Sequence, residues 1–168
     1  ESGTTYYGEA TELLDTKQAA QLSGQIFLEA TGADAALISY NIYQPEVLSN
    51  LENGYGANGQ ILPGKMSEED ITIFLPTGWY DTLQTATLTG NQIKQMAKDG
   101  CDLRDNGYPY PYVLMTKDGS ALEDENEYTV VICGIPKVIK ESGSLNLQDT
   151  GIVGLDTAKE YLTKVGEL

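Results

Sequence analysis

Apolar residues recur at three- and four-residue steps through residues 16–31, placing Ala19, Leu22, Ile26, Phe27 and Ala30 on one face. That spacing predicts an amphipathic helix, with Asp15 or Thr16 as its cap and Gly32 as its stop. Ala35-Ala36-Leu37-Ile38 follows as an unbroken apolar run of strand length. Ser67-Glu68-Glu69-Asp70 has the spacing of a capping box, yet the next segment, Ile71-Thr72-Ile73-Phe74-Leu75, is β-branched. Helix and strand therefore compete there until Pro76 ends the run. Alternation over residues 82–88 predicts a strand. Thr89-Gly90-Asn91-Gln92 then caps a second helix with Ile93, Met96 and Ala97 inward and Gly100 as its stop. Val113 to Thr116 and Tyr128 to Ile132 read as strands, with the turn Asp118-Gly119 between them. A last helix over residues 156–165 lines up Ala158, Tyr161, Leu162 and Val165. Helices and strands interleave without strict βαβ regularity, which predicts an α+β fold, a single-domain sandwich of helices on a mixed sheet.

Between these elements, residues 44–65 shift to Pro, Gly and Asn, with Asn53-Gly54 and Asn58-Gly59 as turn signals. A connection of that length is more often functional or disordered than a plain linker. Cys101 and Cys133 fit no metal-binding spacing, leaving two free thiols or one bridge as the alternatives. No apolar run approaches the ~18 residues of a membrane span. The chain begins at Glu1 without a basic-then-apolar leader, so it is expected to be a piece of a longer or processed protein.

Composition narrows the chemistry. The 168 residues carry 25 Asp and Glu against 10 Lys and Arg, a formal charge of −15, and no histidine. A groove for a phosphate backbone needs clustered cations, and the single arginine, Arg104, stands among scattered lysines. Nucleic acid is thereby excluded as a partner. Without histidine there is no Ser-His-Asp or Cys-His pair, no imidazole base and no Cys/His zinc site. No residue is assigned a catalytic or metal-ligating role, and no cofactor is expected in this chain. The acidic run Glu123-Asp124-Glu125-Asn126-Glu127 lacks the order of an EF-hand loop and reads as a solvated turn. Tyr108-Pro109-Tyr110-Pro111-Tyr112 is stiffened by its prolines. Exposed, these tyrosines would stack on a sugar or base; buried, they would be core aromatics of an edge strand. Trp79-Tyr80, just after Pro76-Thr77-Gly78, poses the same choice.

The order of segments resembles that of the 5'-nucleotidase C-terminal domain. Leu28-Glu29-Ala30-Thr31-Gly32-Ala33-Asp34 running into Ala35-Ala36-Leu37-Ile38 is similar to its opening helix and strand. Leu75-Pro76-Thr77-Gly78 resembles its Leu-Pro-Phe-Gly, and Thr87-Leu88-Thr89-Gly90-Asn91-Gln92-Ile93-Lys94 resembles its strand into a Leu-Thr-Gly helix. Tyr128-Thr129-Val130 and Ala158-Lys159-Glu160-Tyr161-Leu162 match its later strand and closing helix. The resemblance implies a domain over residues 16–168 behind an N-terminal extension, residues 1–15. It also implies a separate N-terminal metallophosphoesterase domain holding two divalent metals, and an extracellular or cell-surface location in a bacterium.

Position by position, the ligand contacts have changed. The family's Asn-Gly-Gly-Gly-Ile-Arg turn falls on Ser39-Tyr40-Asn41-Ile42-Tyr43-Gln44, without its glycines or its arginine. One base-stacking aromatic falls on Thr77 and the other near Ile135. Candidate substrate contacts are therefore Ser39, Asn41 and Gln44, with Trp79, Tyr80, Tyr108 and Tyr110 as replacement rings. Two functions follow as expectations. One is the substrate-binding domain of a nucleotide-hydrolysing phosphoesterase, inactive alone. The other is a non-catalytic module that kept the fold and binds a protein or glycan partner. A nucleoside or glycan ligand would serve one or the other.

Overall fold

The computed structural model describes residues 3–40, 59–100, 110–135 and 143–168. Three helices begin where the sequence places reciprocal caps. At α1 (Thr16–Thr31) Asp15 takes the cap rather than Thr16: its carboxylate accepts the Gln18 N–H at 2.8 Å while the Gln18 side chain accepts the Asp15 N–H at 2.9 Å. Gly32 ends the helix at φ 69°, the left-handed conformation that glycine adopts without a side-chain clash. Ser67 and Asp70 cap α2 (Glu68–Phe74), and Thr89 and Gln92 cap α3 (Gly90–Asp99). The contest at residues 71–75 goes to the helix because Ile71 and Phe74, three residues apart, both reach the core. α4 (Gly154–Val165) has no side-chain cap and starts directly from a strand.

The strands are β1 (Tyr6–Ala10), β2 (Ala35–Ser39), β3 (Gly64–Ser67), β4 (Thr82–Thr89), β5 (Tyr112–Thr116), β6 (Glu127–Cys133) and β7 (Gln148–Val153). Five of them form a sheet in the order β5-β2-β6-β4-β7. β2 and β6 run parallel and the other neighbours antiparallel, so the sheet is mixed and the expected α+β architecture holds. β2 is buried along its whole length because both faces of the sheet are covered. Ala36, Ile38, Val131 and Cys133 face α1, α2 and α4 through Ile26, Phe27, Phe74 and Leu162. Ala35, Leu37, Val130 and Ile132 face Ile93 of α3 together with Tyr110 and Leu122. α1 lies close on the sheet because Gly24 has no side chain: a Cβ there would sit 2.7 Å from the Met115 sulfur.

Three strands have no counterpart in the sequence reading. β1 and β3 pair antiparallel as a separate ribbon, with Tyr6 opposite Ser67 and Ala10 opposite Gly64. The ribbon is tied to the end of the chain: the Glu9 N–H donates to the Gly166 carbonyl and the Leu168 N–H to the Glu9 carbonyl, both at 2.9 Å. β1 thus lies within residues 1–15, and β3 overlaps the end of the predicted loop, of which residues 44–58 lie outside the described residues. β7 completes the sheet's edge beside β4.

Candidate functional site

The antiparallel and parallel registers place the ends of four strands together. Ser39 ends β2 opposite Tyr112, the first residue of β5, and Ile38 lies beside Cys133 at the end of β6. β4 enters at the same end, with Thr85 opposite Val131 two steps inside. The carboxyl ends of parallel strands are where open mixed sheets place ligands, because the connecting loops diverge there. A cleft of about 320 Å³ opens at this edge, lined by residues 76–77, 81–84 and 132–135.

Its outer wall is a short turn. The Gly78 N–H donates to a carboxylate oxygen of Asp81 at 2.9 Å, and the Gly154 N–H at the start of α4 donates to the Asp81 carbonyl at 3.1 Å. Gly154 is required by that approach, since a Cβ would lie 2.9 Å from the Thr77 hydroxyl. The Thr77 hydroxyl oxygen is buried with no hydrogen-bond partner among the described residues, a costly state that a bound polar group relieves. The turn projects Trp79, 48 % exposed, and Tyr80, 86 % exposed. The inner wall is the end of β6, where the Tyr112 hydroxyl donates to the Gly134 carbonyl at 2.5 Å.

Among the described residues, the charge lining the cleft is negative. Asp81 is the one charged side chain among its described lining residues, and no lysine or arginine joins it. Asp149 of β7 pairs with the cleft residue Gln84, and its carboxyl is held below its ordinary range by the Thr82 hydroxyl and by the Gly151 N–H at 2.8 Å. Cys133 lines the cleft as a free, buried thiol, pushed up to about 12 by burial and so a neutral SH at physiological pH.

The candidate residues separate here. Trp79 and Tyr80 stand exposed on the turn between Thr77 and Asp81 and are not among the residues that line the cleft, whereas Thr77 and Ile135, the positions matched to the family's stacking rings, both line it. Neither Thr77 nor Ile135 is aromatic. Tyr110, 2 % exposed, packs with Leu37 and Ile132, so of its two readings it is the core aromatic; Tyr112 is buried beside it. Ser39 is buried within β2 and shows its side chain to no solvent. Asn41, Gln44, Tyr108 and Cys101 lie outside the described residues. Sequence reasoning did not single out Asp81, Thr82 and Gln84 as lining residues, since only the pairing of β4 with β6 brings them to the cleft.

No protein-family model matches this sequence, and no curated protein matches it. Solved structures do. A 5'-nucleotidase precursor from Thermus thermophilus superposes with a TM-score of 0.60 at 18% identity, over 98% of this chain and 37% of its own. The NAD nucleotidase of Haemophilus influenzae gives 0.61 at 14% identity, over 98% and 36%, and a sulfate thiohydrolase from Thermus thermophilus gives 0.57 at 14%, over 98% and 33%. The likeness is one of fold. The chain spans about a third of the length of these proteins, and the fold is the one that the sequence resemblance implies.

Proposed function

We propose that this chain is the C-terminal, ligand-binding domain of a 5'-nucleotidase-type hydrolase, that it hydrolyses no phosphoester alone, and that its ligand site has diverged. The observation that carries this reading is the asymmetry of the match: nearly all of this chain against about a third of each nucleotidase. The remaining two thirds of such a protein leave room for the two-metal centre that a histidine-free chain lacks the usual ligands to build. Divergence is supported by Thr77 and Ile135, which put a hydroxyl and an alkyl group where stacking rings would be. A 5'-nucleotidase, an NAD nucleotidase and a sulfate thiohydrolase share the fold, so the fold leaves the substrate open. Export to the cell surface or medium belongs to the same reading.

A second reading, a non-catalytic module for a protein or glycan partner, is favoured by the exposed Trp79-Tyr80 pair. The full-length gene product and the isolated chain, assayed side by side on AMP with a divalent metal, test the first reading. Turnover by the full-length protein and none by the chain is the expected result. Turnover by the chain after removal of contaminating phosphatase overturns its non-catalytic assignment. A full-length product without turnover hands the protein to the second reading.

A further inference from the structure

Away from the cleft, the surface around β3 joins an open strand edge to an apolar groove. β1 has partners on both sides. β3 lies on one, and on the other the Glu9 N–H donates to the Gly166 carbonyl while the Glu9 carbonyl accepts the Leu168 N–H. Residues directly opposite each other in an antiparallel pair either exchange their backbone bonds or both turn away. Glu9 turns its groups toward residues 166–168, so Lys65, its partner in register, turns its own N–H and carbonyl outward. Among the described residues no strand pairs on that edge of β3. Pro63, just before the strand, has no N–H to donate, which keeps any added pairing short.

Lys65 also lines a groove of about 260 Å³, with Ile61, Leu62, Met66 and Ile73. Ile61 and Met66 are buried, whereas Leu62 and Ile73 are 66 % and 58 % exposed. The bridge between Leu14 and Ile61 sets the exposed Leu13 beside Leu62, so three large apolar side chains gather where single ones would be unremarkable. The Ile73 side of the groove is fixed, because the Gly59 N–H donates to the Ile73 carbonyl at 2.8 Å. Carboxylates frame this apolar surface. Glu69 and Asp70 stand four and three residues before Ile73, on its face of α2, and Glu12 and Asp15 flank Leu13 and Leu14. Lys65 is the one cation among the described lining residues, and its ammonium lies over the Tyr6 ring, 5.7 Å from the ring centre. A second copy of the chain would bring the same carboxylates and another formal charge of −15 against these. The complementary occupant is basic.

We propose that this surface docks an extended segment of another protein, apolar at its centre and basic at its flanks. The segment adds a short strand to β3 through the Lys65 N–H and carbonyl, seats one aliphatic side chain between Leu62 and Ile73, and sets a lysine or arginine against Glu69 and Asp70. In strand addition the main chain supplies affinity and a side-chain pocket supplies selectivity. The groove is smaller than the clefts that enclose whole ligands, and it suits a single side chain. It shares no lining residue with the cleft at the ends of β4 and β6, so the proposal is independent of any ligand bound there.

The test is an NMR titration of the isotope-labelled full chain with the peptide acetyl-Lys-Val-Leu-Val-Lys-amide. Saturable shifts centred on residues 60–73, with the Lys65 amide among the largest, are expected. The same peptide with aspartate for both lysines should bind at least about fivefold more weakly, and so should the lysine peptide N-methylated at its three central amides. Ile73→Asp and Leu62→Ser change exposed side chains, so both variants should keep the dispersed spectrum of a folded chain while losing at least about fivefold in affinity. Equal binding of the lysine and aspartate peptides overturns the proposal, as does an unchanged affinity in both folded variants. Shifts centred on residues 76–84 place the peptide in the cleft and overturn it as well. Silence from the lysine peptide at millimolar concentration does the same. A dimer in sedimentation that Ile73→Asp dissociates gives the groove to a second copy and overturns the choice of a basic partner.

Discussion

The two ends of the five-stranded sheet are built on opposite principles. At one end, where β2 and β6 begin and β4 and β5 finish, backbone groups are paired across the chain. The Asp34 N–H donates to the Thr129 carbonyl at 2.8 Å, the Thr129 N–H to the Asp34 carboxylate at 2.9 Å, and the Lys117 N–H to the Asp34 carbonyl at 2.9 Å. The acidic turn at residues 123–127 folds onto α3, with the Gly90 N–H on the Asn126 carbonyl at 2.9 Å and the Asn91 N–H on the Asp124 carbonyl at 3.0 Å. At the other end lie the cleft, a Thr77 hydroxyl with no partner among the described residues, and two exposed rings. Among the described residues, the first end pairs these backbone groups within the chain, while the second holds one buried hydroxyl without a partner and two exposed rings. Strand ends that close on themselves contribute stability, and strand ends left open are where a ligand finds unmet groups.

The comparison can be broken most directly at Gly90. A Cβ there would lie 2.1 Å from the Glu123 carbonyl oxygen, a backbone atom that cannot swing aside. Gly90→Ala should therefore cost about 3 kcal/mol, read as a lowered urea midpoint. Retention of the wild-type midpoint would mean that the acidic turn is not seated on α3. At the same end, Thr89→Ala removes the hydroxyl that accepts the Gln92 N–H at 3.2 Å. A loss of about 1 kcal/mol is expected, largely spared by Thr89→Ser.

At the open end Cys133 sharpens the contrast through pH. Its thiol is raised in the folded chain from an ordinary 9.0 to about 12, with burial as the cause. The folded state thus holds the proton more tightly than the unfolded one. The associated stability is intact below pH 9 and is lost as pH rises from there toward about 12. Urea midpoints from pH 8 upward should fall more steeply for the wild type than for Cys133→Ala, which has no thiol to titrate. Parallel slopes would place the thiol in water. The smallest effect belongs to the exposed turn: Trp79→Ala should change stability by under about 0.5 kcal/mol, since the ring is half exposed. A larger loss, measured in the same urea titration, would make Trp79 a packing residue and remove it from the candidate contacts.

Much of the helical half of the fold is legible along the chain because its signals are local. Asp15 with Gln18, Ser67 with Asp70 and Thr89 with Gln92 each close a cap within three residues, and Gly32 and Gly100 end their helices where the periodicity stops. β2 and β6 are legible as apolar runs. β1, β3 and β7 are not: Gly8 and Gly151 interrupt β1 and β7, Gly64 opens β3, and each is a strand only through its partner. The candidate site divides the same way. Trp79 and Tyr80 stand out as rings in a Pro-Thr-Gly context, whereas Asp81, Thr82 and Gln84 look like ordinary residues opening a strand until β6 is beside them.

The sequence by itself determined the reciprocal caps that start α1, α2 and α3, the absence of histidine chemistry and the overall excess of negative charge. Each depends on residue identity or on neighbours within a turn. Tertiary structure alone decided that Ile71 and Phe74 make a helix rather than a strand, that Tyr110 is core and Trp79 is exposed, and that Thr77 and Ile135 share one cleft. Burial is a property of what the rest of the chain brings up against a residue. Residues 58 positions apart meet only when strand pairing closes the distance.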